Sequence, residues 1–364
     1  MNQSDKLARE AIAQRLPPDF LKPRPIESLW CVPLFSLAAL GTFLVLTMHW
    51  GWLFNLLTAL LLGNLYASFF FLGHYIVHGA NIQSKAMQRF LGFVCFAPFG
   101  MSPHLWKVWH HTLHHPMTNW PGRDPDTFGD IQHQRKNPIP HLFIPGNKRV
   151  LPSLVFLLFF FTGHVLSVLF IYSKGKHFSR LNKKKAYLET AVIALAALLL
   201  ILLSGKLALF TVFIPWLVAN VIGVSYTVTQ HLLLPLKPTS ALNSSMSVRV
   251  PRWIDRIHFY NSHHVEHHLF PEASMKALRQ IRGVLKERCC FFKCPSMFKA
   301  LYGVWLTPRF QDEEYLIDHK TADRVSFWAI NDFLFFGGKI VHSKRARFFT
   351  IDSPTPYDYE KLSS

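Results

Sequence analysis

The stretch LETAVIALAALLLILLSGKLALFTVFIPWLVANVIGVSYTV, residues 188–228, is two apolar runs joined by Ser-Gly-Lys. Leu188 to Leu203 and Leu207 to Val228 each approach or exceed the ~20 residues a helix needs to cross ~30 Å of hydrocarbon. Three linking residues leave room only for a tight reversal, so the pair reads as a membrane hairpin. A second hairpin lies nearer the start. Val32 to Met48 crosses, "HWGW" (His49 to Trp52) reverses with tryptophans suited to an interface, and Leu53 to Leu72 returns.

Half of the 364 residues are apolar and only 16% are charged, yet the formal net charge is +18. That balance describes a basic integral membrane protein rather than a nucleic-acid binder. The polar start, "MNQSDKLAREAIAQRLPPDF", lacks a basic-then-apolar pattern, so no cleaved secretory segment is expected. Leu7 to Leu16 has helically spaced apolar residues with Arg9 and Arg15 opposite, the pattern of a helix lying on a membrane surface. The expected organisation is a cytosolic N-terminal segment (1–29), a membrane and catalytic domain (30–285) and a cytosolic C-terminal extension (286–364). Cys31, Cys95, Cys289, Cys290 and Cys294 show no disulfide framework and read as reduced thiols.

Three histidine groups sit where apolar runs end: "HYIVH" (His74, His78), "HTLHH" (His111, His114, His115) and "HVEHH" (His264, His267, His268). Positions i, i+3 and i+4 share one face of an α-helix, so each group can aim two or three imidazoles at one point. Eight nitrogen donors exceed what one four- to six-coordinate ion uses, so two metals are implied. Imidazole suits iron, zinc, copper or nickel. His231, where the last span ends, is a ninth candidate.

His110, His258 and His263 fall outside the i, i+3, i+4 set, and ligation stays open to them beside a supporting or purely structural role; His110 and His263 are candidates for the supporting one. Asp124, Asp126 and Glu266 are candidates to accept the second N–H of metal-bound imidazoles. His49, His104, His133, His141, His164, His177, His319 and His342 read as ordinary polar or interfacial residues.

A single site requires all three groups on one face of the bilayer, hence an even number of crossings between His78 and His264. The hairpin at 188–228 supplies two. Leu154 to Tyr172, long enough to span, is therefore expected to be re-entrant or interfacial, as is the shorter run Phe90 to Met101 with Pro98 and Gly100. Lys174, Lys176, Arg180 and Lys183 to Lys185 share a side with both termini, which puts the termini and histidines on the cytoplasmic face. The expected fold is all-α: four transmembrane helices in two hairpins, with a helical cytosolic cap holding a histidine-ligated dinuclear metal site.

These boxes, with "HHPMTN…GRDPD" (114–126) and "HHVEHHLFP" (263–271), resemble the membrane fatty acid desaturases, whose pattern is HxxxH or HxxxxH, then HxxHH, then H/QxxHH. The resemblance implies two iron ions held by His74, His78, His111, His114, His115, His264, His267 and His268, often joined by a histidine like His231. It also implies a fatty acyl lipid or acyl-CoA substrate, O2 as co-substrate and a cis double bond as product. No haem-binding HPGG motif is present, so electrons are expected from an external ferredoxin or cytochrome b5 type of carrier. The third box opens with His264, whereas front-end desaturases usually have glutamine there, so regioselectivity does not carry over. Phe70, Phe71, Phe96 and Phe99 are candidates to line the acyl tunnel. A lipid or carotenoid hydroxylase or ketolase would share the centre; the "HLFP" continuation favours desaturation. A histidine-rich metal transporter or sensor would place its ionisable groups in mid-membrane instead.

Overall fold

The computed structural model describes residues 3–48, 50–127, 145–238, 240–288, 294–308, 310–311, 315–317 and 324–340. His49, His133, His141, His319, His342, Cys289 and Cys290 lie outside the described residues, as does part of the 286–364 extension.

Both hairpins form. The first pairs α2 (Cys31–Thr47) with α3 (Trp52–His78). α2 is apolar all round and buries little besides Cys31, Leu34, Ala38 and Val45, leaving Val32, Phe35 and Phe43 outward, as a helix bathed in lipid should. α3 does not stop at Leu72. It runs on through His74 and His78, and its second half is almost wholly buried. Gly79 ends it in the left-handed conformation (φ 88°), which a side chain would resist.

The amphipathic α4 (Lys85–Phe96) is capped by Ser84 and buries Gln88, Gly92, Cys95 and Phe96. Residues 103–117 make one composite helix, α5, whose centre Lys107–His114 is π-helical. The second hairpin is α7 (Lys183–Ser204), a short turn, and α8 (Ile214–His231). α3 and α8 form the principal helix pair. At Gly63 a Cβ would stand 2.7 Å from the Pro215 carbonyl oxygen, so only glycine allows this backbone approach.

Five helices among the described residues are long and apolar enough to cross a membrane, the fifth being α6 (Val150–Phe170 within Val150–Lys174). α6 is one unbroken helix, so the re-entrant form of the expectation is not what folds. Its tethers set its course. Just before it, the Asn147 and Lys148 amides donate to the Thr307 and Trp305 carbonyls; near its end, the Leu169 carbonyl accepts from Tyr187 Oη at the start of α7. Its middle crosses α8, where Trp216 Nε1 donates to Thr162 Oγ1 at 2.9 Å.

A cap of short helices covers the ends of α3 and α8: Arg252–Ile257, α9 (His264–Leu269), α10 (Met275–Arg288) and α11 (Met297–Leu306). The N-terminal helix α1 (Gln3–Ala13) belongs to it. Ala8 and Ile12 are buried, Arg9 donates to the Leu269 carbonyl and pairs with Glu272, and its guanidinium lies 4.5 Å over the Phe270 ring. The apolar face expected to meet lipid thus packs on protein. The extension departs from an all-α fold by three short antiparallel strands, β1 (Phe310–Gln311), β2 (Tyr315–Ile317) and β3 (Arg324–Ser326), in the order β1-β2-β3 with Leu316 opposite Val325.

Candidate metal centre

The last turns of α3 and α8, the middle of α5 and the whole of α9 converge under the cap, each presenting histidines. Two groups result. Ring nitrogens of His74, His78, His110, His115 and His267 lie within 4.8 Å of one another, as do those of His114, His231, His264 and His268. In the first group His74 Nε2 stands 2.6 Å from His267 Nε2, which is 3.1 Å from His115 Nε2, itself 3.2 Å from His78 Nε2. In the second, His264 Nε2 lies 2.7 Å from His231 Nε2 and 3.1 Å from His268 Nε2.

Eight of the nine rings named from sequence are gathered. The ninth, His111, is exposed and stacks flat on His78 (centroids 4.8 Å, 29°), while His110, its neighbour, is buried within the first group.

Burial, then the neighbouring imidazoles, holds His110, His115, His264, His267 and His268 well below the ordinary histidine range, so these rings are neutral and their lone pairs free. Burial pulls His114 down as well, but Asp124 and Asp126 outweigh it and raise that ring above its ordinary value. His114 Nδ1 donates to Asp124 Oδ1 at 3.0 Å, which leaves Nε2 as the lone-pair nitrogen. His231 Nδ1 donates to the Ser244 carbonyl at 3.0 Å with the same result. His114 Nε2 and His110 Nε2 are buried with no hydrogen-bond partner. Imidazole nitrogens that converge to 2.6–3.2 Å, with two more buried beside them and without a partner, fit two transition-metal ions.

The carboxylates divide. Asp124 also accepts the Asn119 amide at 2.8 Å and the Asp126 amide at 2.9 Å; Asn119 holds φ 59° and its side chain donates to the His231 carbonyl, bracing α5 against α8. Asp126 accepts from Trp109 Nε1 and His164 Nε2, both at 2.8 Å. His164, passed over as interfacial, is thus joined to the centre; no local spacing could have found it, since its partner lies 38 residues away. Glu266 accepts from Arg282 Nε at 2.5 Å and Ser247 Oγ at 2.6 Å rather than from an imidazole. His263 sits outside the groups, its Nε2 3.4 Å from Asp255.

A pocket walled by Phe70, Phe71, Phe160 and Phe161 is also lined by Trp109, Asp126 and several of the histidines. Phe96 and Phe99, also tunnel candidates, pack behind Phe70 at 5.7 and 5.2 Å.

A family model described as fatty acid desaturase matches residues 50–298, more than half of the chain. Among curated proteins, an sn-1 oleoyl-lipid 12-desaturase of Synechocystis sp. is 23% identical, over 77% of this chain and 82% of the relative. A chloroplastic omega-6 fatty acid desaturase of Spinacia oleracea is 24% identical over 71% of this chain and 59% of its own. A probable fatty acid desaturase DES1 of Sorghum bicolor is 27% identical, over 68% of this chain and 67% of its own. The matched region contains every box that the fold brings together, and the chain therefore belongs to the fatty acid desaturase family, oxidoreductases of lipid metabolism.

Proposed function

We propose that the chain introduces a double bond into a fatty acyl chain, using O2 and electrons from an external carrier, at two iron ions. The observation that carries this reading is the adjacency of two imidazole groups to a phenylalanine-walled pocket. His74, His78, His115 and His267 would hold one iron and His114, His231, His264 and His268 the other; the second box supplies one more ligand, treated below. Bound iron would supply the oxidising power that no side-chain acid or base has for an unactivated C–H bond.

The chain's own residues do the rest. Phe70, Phe71, Phe160 and Phe161 receive the methylenes and exclude water. Asp124 fixes the protonated nitrogen of His114, and Ser244 that of His231, so that Nε2 of each faces the centre. The Synechocystis relative acts, by its name, on a lipid-linked acyl chain, which favours an acyl-lipid substrate here.

Four crossings, with both ends of α6 on one side, keep all boxes together; the tethers of α6 to Thr307, Trp305 and Tyr187 support this. Lys183, Lys184 and Lys185 open α7 at that side, so it is the cytoplasmic one, carrying both termini. A basic face there suits an acidic carrier of the ferredoxin or cytochrome b5 type.

The test is lipid analysis of a host expressing the chain, beside one expressing His267→Ala. New double bonds lost in the variant are expected. Hydroxylated or keto products, or an unchanged lipid profile, would refute desaturation.

A further inference from the structure

The second box contains two adjacent histidines, and helical periodicity favours the wrong one. Read as an α-helix, His111, His114 and His115 stand at i, i+3 and i+4 and share a face, with His110 turned aside. Lys107–His114 is instead π-helical, its hydrogen bonds closing five residues back; the His115 amide donates to the His110 carbonyl. Each such turn takes in one residue more than an α-turn. The shared face therefore carries i, i+4 and i+5, which are His110, His114 and His115.

Ring geometry agrees. His110 lies edge-on to His74 (4.7 Å, 69°) and His115 (4.7 Å, 83°), is backed by Trp106 (4.4 Å, 22°), and is 8% exposed. Its buried Nε2 has no hydrogen-bond partner. Its Nδ1 lies 3.9 Å from Asp126 Oδ2, on the side of the carboxylate that also serves His114. His111 presents a ring face to His78.

We propose that His110, and not His111, is the first metal ligand of the second box, so that the box of this chain is HxxxHH on a π-turn rather than HxxHH on an α-turn. The inference rests on the two-iron reading above and extends it. The first iron then has five imidazoles to draw on: His74, His78, His110, His115 and His267. His111 is left as a surface ring over His78.

The experiment measures iron per chain and the Mössbauer spectrum of wild type, His110→Ala and His111→Ala, each purified in detergent and checked for monodispersity. His110→Ala is expected to lose one of the two irons, and with it one of the two iron environments in the spectrum. His111→Ala is expected to keep both. Loss of an iron in His111→Ala overturns the assignment, whatever the other variant does, and so does a folded His110→Ala that keeps both. Should His110→Ala fail to fold, His111→Ala still decides. A wild-type chain without iron would instead sink the two-iron reading itself, which is a different result.

Discussion

Arg282→Ala should destabilise the cap far more than any neutral substitution beside it. Glu266, on the helix that carries the third box, is fully buried, and Arg282 is 9% exposed. The guanidinium donates to Glu266 through Nε at 2.5 Å and lies within 3.4 Å through Nη2, which also donates to the Ser262 carbonyl at 3.1 Å. Truncation leaves a fully buried carboxylate with, among the described residues, only the Ser247 hydroxyl as a side-chain donor, a loss of about 3–5 kcal/mol. Ser247→Ala removes a neutral donor and should cost about 1–3 kcal/mol.

In domains of ~150–250 residues each kcal/mol moves the melting midpoint by about 2–4 °C, so Arg282→Ala should fall by on the order of 10 °C. The assay is thermal unfolding in detergent of wild type, both single variants and the double variant Glu266→Gln with Arg282→Met. Removing both charges together should recover most of the loss, because the cost lies in stranding one charge rather than in lacking the pair. A fall no larger than that of Ser247→Ala, or a double variant as unstable as Arg282→Ala, would refute the reasoning.

Asp124→Asn keeps the shape but weakens the bond that sets the His114 tautomer, and should reduce metal retention against a chelator by about 10–100-fold with little change in fold. Gly63→Ala would set a Cβ 2.5 Å from that of Val218 and should sharply reduce folded protein, whereas Gly163→Ala, with nothing within 4 Å, should be stabilising by up to about 1 kcal/mol; folded yield and melting midpoint distinguish them. Burial lowers His258 from 6.5 to about 4, where Tyr226 Oη lies 3.0 Å from Nδ1. The unfolded chain binds this proton first, so the stability is full above pH 6.5 and falls as pH drops toward 4. About 2 kcal/mol should be gone by pH 5, and His258→Gln should melt with a correspondingly flatter dependence between pH 7.5 and 5.

Much of this was legible in the residues, because membrane spans and i, i+3, i+4 histidines are local patterns. Both hairpins, and the gathering of His74, His78, His114, His115, His231, His264, His267 and His268, follow from spacing alone. What escaped depends on partners distant in sequence or on departures from the α-helix. His110 is gathered with the first group and His111 is left exposed because one turn is π-helical, which no apolar periodicity announces. His164 matters through Asp126, and Glu266 is claimed by Arg282, 16 residues on and one helix later. α6 has the composition of a span, yet its neighbours decide where its ends go. The amphipathic face of α1 signals burial without saying whether lipid or protein will cover it; Ala8 and Ile12 are buried in the protein core.

The imidazole pairs at 2.6 to 3.2 Å join four helices that come from opposite halves of the chain. At that seam ring nitrogens face each other, and the irons proposed above would fasten it. With the proposed irons bound, folding and metal supply would be one equilibrium: a metal at a hundred times its dissociation constant would add about 2.7 kcal/mol to the native state, and depletion would remove it. A cell short of metal would therefore lose this protein by turnover as well as by inactivity, and its abundance in the membrane would follow the labile metal pool without any dedicated sensor.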